Sequence, residues 1–161
     1  MTNGVKIQKL DSTKEEGIFK IAKWYNEEWE TPIEKTIKRL SNQPNDDVLF
    51  QLVLSQGEEI IATGGLCNEV NLLNVHPEFR KLGPWVALLY TDKEHRGNGF
   101  GKALLEQIES HASHCEINKI YLYTFTAESL YRRSGWKPIA TVRYKNQDTL
   151  VMEKVINPKL H

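Results

Sequence analysis

The chain has 161 residues, enough for a single domain with a buried core, and its 21 Lys and Arg are balanced by 21 Asp and Glu. Zero formal charge removes the global electrostatic case for nucleic acid or an anionic membrane as a partner. No apolar run approaches the roughly 20 residues of a membrane-spanning helix.

The opening segment, MTNGVKIQKLDSTKEEG, has neither the apolar core nor the small-residue cleavage site of a secretory signal. Cys67 and Cys115 stand alone, without a CxxC partner, as expected of free thiols in a cytoplasmic protein. No metal-ligand spacing, internal repeat or low-complexity linker stands out, so one domain over residues 1–161 is expected.

VKIQKL reads as a short strand, followed by a helix in DSTKEEGIFKIAKWYNEEWE, where Ser12 and Glu15 suggest a capping box. Ile18, Ile21, Ala22, Tyr25 and Trp29 recur at three- and four-residue spacing and give that helix one apolar face. TPIEKTIKRLSNQ repeats the start signal, with Thr31 as N-cap, Pro32 at the first helical position and Glu34 closing the box. Pro44 and Asn45-Asp46-Asp47 end this second helix. VLFQLVLS and EIIATGGLC follow as a hairpin around Gln56-Gly57-Glu58, and Gly64-Gly65 predicts a bulge or a close backbone approach.

Residues 68–82 lack periodicity and read as a loop. PWVALLYT is a continuous apolar run, as for a central strand buried on both faces. A glycine-dense turn then opens a helix carrying Phe100, Leu104, Leu105, Ile108 and Ala112. KIYLYT is a strand, and TAESLYRRSG a short helix stopped by Gly135. WKPIATVRYK and TLVMEKVI pair around Asn146-Gln147-Asp148. The order β-α-α-β-β-β-α-β-α-β-β predicts an α/β domain with a mixed sheet, since hairpins need antiparallel strands and helical crossovers bring parallel ones.

Strand, glycine turn and helix together suit an anion, because unpaired N–H groups at a helix N-terminus point outward along a favourable dipole. Two nucleotide fingerprints fail on spacing. A Walker A loop needs G-x-x-x-x-G-K-[ST], yet Ala103 follows Gly101-Lys102 and position 96 is Arg. A Rossmann turn needs G-x-G-x-x-G, whereas Gly97, Gly99 and Gly101 give G-x-G-x-G.

Arg96-Gly97-Asn98-Gly99-Phe100-Gly101 instead matches [RQ]-x-x-G-x-[GA], the pyrophosphate-binding signature of the GNAT superfamily of acyl-CoA-dependent N-acetyltransferases. ESLYRRSGW resembles a late element of the same superfamily, and the predicted element order is its fold. The likeness covers nearly the whole chain, most specifically residues 84–136, and RKLGPWVALLYTDKEHRGNGFG resembles a branch whose central strand begins Pro-Trp.

The resemblance implies acetyl-CoA as co-substrate and direct transfer to a primary amine on a small molecule or peptide. It implies that Leu89, Tyr90 and Thr91 hold the pantetheine arm, and that the backbone from Gly97 through Asn98, Gly99, Phe100, Gly101 and Lys102 holds the pyrophosphate. The side chains of Arg96 and Lys102 are either phosphate ligands or solvated cations, and Thr124 stands where relatives carry a cofactor-contacting Asn. Tyr131 stands where relatives keep a general acid for the leaving thiolate, or else simply packs its helix.

A lysine-like ammonium costs roughly 4–5 kcal/mol to deprotonate at pH 7, so a base matters for such an acceptor. Glu69 and His76 are candidates beside ordinary loop roles, and a water chain is a third. Glu27, Glu28, Glu30 and Glu34 either roof the acceptor groove and favour a cation or form a solvated face. Trp24, Trp29 and Trp85 either line the groove or fill the core. Two alternatives stay open: a different acyl donor, and a catalytically silent acyl-CoA-binding module. A monomer and a homodimer are equally open.

Overall fold

The computed structural model describes residues 4–156. The outermost ends of the expected 1–161 domain, with the first residues of the opening segment, lie outside the described residues. Seven strands form one mixed sheet: β1 (Val5–Lys9), β2 (Val48–Gln56), β3 (Glu59–Cys67), β4 (Trp85–Thr91), β5 (Lys119–Thr124), β6 (Lys137–Tyr144) and β7 (Gln147–Val155), in the order β1-β2-β3-β4-β5-β7-β6. Among the described residues only the β4–β5 pair is parallel, as the helical crossover between them requires.

Five helices accompany the sheet: α1 (Glu15–Trp29), α2 (Ile33–Leu40), α3 (Leu72–Val75), α4 (Phe100–His114) and α5 (Glu128–Arg133). Because side chains alternate along a strand, β2 feeds two cores at once. Leu52 and Leu54 join Leu104, Leu105 and Ile108 of α4, while Val53 joins Ile18, Ile21, Trp24 and Tyr25 of α1. A third cluster sets Leu72 and Leu73 of α3 against Trp85, Tyr121 and Val151.

Several boundaries differ from the sequence reading. No capping box forms at Ser12. Lys14 occupies the N-cap of α1, and the Asp11 carboxylate instead accepts from the Thr13 N–H (2.9 Å) and hydroxyl (2.6 Å). A local side-chain turn has outcompeted the cap. Pro32, not Thr31, caps α2, a shift of one residue. Residues 68–82 are not a bare loop, since α3 and a 3-10 turn over Pro77–Lys81 lie within them. The β6–β7 hairpin turns on Lys145 and Asn146, both at positive φ (53° and 62°), so Gln147 already belongs to the strand.

The double glycine on β3 does mark a bulge. The β3–β4 register slips between Thr63 and Gly65, so Leu88 and Leu89 together face Gly64. A Cβ on Gly64 would fall 2.5 Å from Leu89 Cδ1. On Gly65 it would collide with Gln51 Oε1 and lie 2.8 Å from the Phe50 carbonyl oxygen, which is backbone and cannot step aside. Gly65→Ala is therefore expected to cost about 2 kcal/mol by overpacking. Denaturant unfolding checks this, and a change below about 0.5 kcal/mol, within the range of ordinary surface substitutions, would show that the strands yield.

Candidate active site

The bulge strains one residue. Leu88 sits at φ 63°, a left-handed conformation that a branched side chain seldom adopts. Its carbonyl turns toward α1 and accepts from the Tyr25 hydroxyl at 2.6 Å. Tyr25 is fully buried and in turn accepts from Gln51 Nε2 (3.1 Å), which also donates to Thr63 Oγ1 (2.8 Å). Burial pushes the Tyr25 phenol well above its ordinary range, so at neutral pH it is a donor. A chain of three buried side chains therefore clamps the strained carbonyl.

Beyond the bulge the sheet opens. β4 and β5 share a single register pair, Trp85↔Tyr121, whereas on its other edge β5 pairs with β7 along its whole length. Ala87, Leu88 and Leu89 are consequently half-buried, not covered on both faces as the apolar run predicts. The gap deepens into a groove of about 400 Å³ between Val86–Leu89 and Leu122–Thr126. Glu69, Thr124 and Tyr131 all line it.

On the other side of Leu89 lies a second pocket of about 290 Å³, lined by Leu89, Tyr90, Thr91, Arg96, Gly97, Gly99, Phe100 and Gly101. Gly97 and Gly99 have φ of 86° and 79°, and an added Cβ on either would meet nothing within 4 Å. Conformation, not space, requires glycine there. Gly101 has no such requirement, since its φ is helical and a Cβ would make only ordinary contact with Thr91 Oγ1 at 3.8 Å. Among the described residues no side chain caps α4, a 15-residue helix, so its first N–H groups and its dipole face the pocket. These residues fit a pyrophosphate: open backbone, no obstructing Cβ and a favourable dipole.

Arg96 lines this pocket and braces it as well. Its Nε donates to the Thr91 carbonyl at 2.8 Å, its guanidinium lies 5.0 Å over the Tyr90 ring, and Nη2 stands 4.0 Å from Glu28. Lys102 and Asn98 do not line it by their side chains. The Lys102 ammonium pairs with Glu106 at 3.6 Å, and Asn98 Nδ2 donates to the His95 carbonyl at 3.0 Å.

Tyr131 is half-buried, its ring 6.2 Å from that of Trp136, and burial raises its phenol above the ordinary tyrosine value. The Thr124 hydroxyl accepts from the Ala127 N–H at 3.1 Å and so shapes the turn into α5 that carries Tyr131. Both oxygens of Glu69 accept from Arg80 Nη1, at 3.0 and 2.8 Å. His76 does not line the groove. It ties to the Arg143 carbonyl through Nε2 at 2.8 Å and stands 3.4 Å from Glu78. Cys67 is buried, and burial pushes its thiol up to about 12, which leaves it inert.

Of the four glutamates at the α1–α2 junction, Glu28 lines the smaller pocket and none lines the groove. Trp29 lines both pockets, whereas Trp24 stacks on Tyr90 at 5.1 Å in the core and Trp85 is fully buried. Tyr25 as a clamp, Leu88 and His95 are participants that sequence reasoning missed, and Glu28 faces the smaller pocket, not the groove. Only the adjacent double glycine hinted at the bulge that Leu88 belongs to and Tyr25 clamps.

Residues 18–136 match the model of the acetyltransferase (GNAT) family. Among solved structures, an aminoglycoside 6'-N-acetyltransferase complexed with coenzyme A superposes with a TM-score of 0.76 at 14% identity, over 97% of this chain and 99% of that one. The aminoglycoside 6'-N-acetyltransferase from Enterococcus faecium gives 0.74 at 13%, over 97% and 99%. The ribosomal-protein-S18-alanine N-acetyltransferase from Escherichia coli gives 0.69 at 18%, over 98% and 99%. At such identities the structures share a fold, and the family model carries the assignment. This chain belongs to the GNAT acetyltransferase family.

Proposed function

We propose that the chain is an acetyl-CoA-dependent N-acetyltransferase that passes the acetyl group directly to a primary amine while both substrates are bound. One observation carries this reading: Leu89 and Trp29 line both pockets, so what enters by the glycine turn and what enters by the groove meet at the β4 bulge. Acetyl-CoA, when bound, supplies an activated acyl carbon. The N–H groups from Gly97 to Lys102 would hold its pyrophosphate, and the backbone of Leu89, Tyr90 and Thr91 its pantetheine arm. A backbone donor at the bulge would meet the charge that gathers on the carbonyl oxygen during attack.

Tyr131 would give its proton to the departing sulfur, and its raised phenol keeps that proton available at neutral pH. The amine must shed a proton in the opposite sense. Glu69, at the exposed rim, would receive it through water. The test is release of free CoA from acetyl-CoA in a panel of primary amines. Release that depends on both substrates is expected, and release independent of every amine would overturn the reading.

Glu69→Gln is expected to lower kcat/KM about tenfold at pH 7, a modest loss because water can relay the proton. The deficit should shrink toward pH 9.5, where a larger fraction of a lysine-like amine, with pKa about 10.4, is already neutral. A deficit of equal size at both pH values would remove Glu69 as the proton acceptor.

A further inference from the structure

The groove carries an uneven charge. Five charged side chains line it: Lys35, Arg39, Asp47, Glu69 and Lys145. Both carboxylates are already matched by guanidinium groups. Arg39 donates to Asp47 through Nε at 2.8 Å and Nη2 at 3.1 Å, and Arg80 holds Glu69 from the rim at 2.8 and 3.0 Å. Among the described residues neither Lys35 nor Lys145 has a carboxylate within 4.0 Å, and the Lys145 ammonium lies only 5.5 Å over the Tyr144 ring. The two unmatched ammonium groups stand on separate walls, α2 and the β6–β7 turn.

A cleft with surplus charge of one sign concentrates the opposite charge within it. Among the described residues a polycation finds no uncompensated carboxylate in this groove, because the acidic α1–α2 junction does not line it. A positive field also disfavours the protonated form of an incoming amine, and so raises the fraction able to attack. Trp29, Tyr123 and Phe125 add apolar wall for the body of the acceptor.

We propose that the acceptor is an amine carrying a carboxylate in the same molecule, which Lys35 and Lys145 hold while the amine reaches the bulge. The proposal rests on the transferase reading above. Its chemistry is that of a free amino acid or of an acidic peptide N-terminus, and the assay separates the two sources.

Calorimetry with acetyl-CoA comes first. Absence of binding overturns the transferase reading and this proposal with it. With binding established, kcat/KM is measured for L-phenylalanine, L-phenylalaninamide, L-glutamate, the amidated tripeptide Ala-Glu-Glu, spermidine and kanamycin. Phenylalanine is expected to exceed its amide by about tenfold, although α-amines without a neighbouring carboxylate, near pKa 7.7–8, are the easier to deprotonate. Glutamate or the tripeptide as the better substrate assigns the source.

The double substitution Lys35→Glu, Lys145→Glu should bring the acid-to-amide ratio down by about tenfold, as reversal of two exposed charges allows. That ratio is insensitive to any shared loss of folding. Spermidine or kanamycin as the best substrate, equal use of acid and amide, no use of any carboxylate amine, or an unmoved ratio in the double variant each overturns the proposal.

Discussion

Tyr131→Phe is expected to lower kcat about 100-fold while acetyl-CoA affinity stays within about twofold, the pattern for losing a general acid and little else. Phe keeps the ring that packs 6.2 Å from Trp136 and removes only the hydroxyl. The chemical reason is the leaving group. A thiolate expelled into a half-buried pocket is costly unless a proton reaches it, and Tyr131 is a titratable donor lining the same groove as Leu89.

The pH dependence has a definite sign. Burial raises the phenol above its ordinary value of 10.0, so the proton-donating form persists as pH rises and is lost only beyond that value. The alkaline limb of kcat should therefore fall above pH 10 in the parent enzyme and be missing from the Phe variant. Unchanged turnover of that variant between pH 7 and 9 would remove Tyr131 as the acid.

The second large effect lies away from both pockets. Tyr25→Phe deletes the hydroxyl that donates to the Leu88 carbonyl and accepts from Gln51 Nε2. Gln51 Nε2 keeps its bond to Thr63 Oγ1, but the half-buried Leu88 carbonyl loses its donor, and an unsatisfied buried group costs about 1–3 kcal/mol. A net loss of about 1–2 kcal/mol, or roughly 3–6 °C in Tm for a chain of this size, is expected.

Activity should suffer separately. Leu88 at φ 63° holds about 1–2 kcal/mol of backbone strain, and without the clamp the strand can relax toward ordinary register. That would draw Leu89 away from the junction of the two pockets. A fall of more than tenfold in kcat/KM, measured well below the lowered Tm, is the expected outcome. A lowered Tm with full activity would mean that Tyr25 stabilises the fold without shaping the site.

What could be read from residue order depended on range. The β2–β3 hairpin emerged because its signals are local: two apolar runs and a glycine between them. Gly97 and Gly99 announced the cradle because only glycine adopts their φ cheaply. Gly64-Gly65 announced the bulge for a related reason, the close approach of Leu89 and Phe50.

The converse cases are equally physical. α3 spans only Leu72–Val75, too short for a helical period to register. Leu88 gives no sign of its positive φ, because its support comes from Tyr25, 63 residues earlier. Charge patterning at the α1–α2 junction placed four glutamates together but could not say which pocket they face. The pairing of Glu69 with Arg80 likewise depends on how the segment between them folds back.

The most direct test of the account is hydrogen–deuterium exchange with and without acetyl-CoA. If the cradle and the splayed strand hold the co-substrate, amides of residues 86–91 and 96–103 gain protection together, while those of the β6–β7 turn do not. Protection confined to other segments, or none at saturating acetyl-CoA, would contradict the assignment of both pockets.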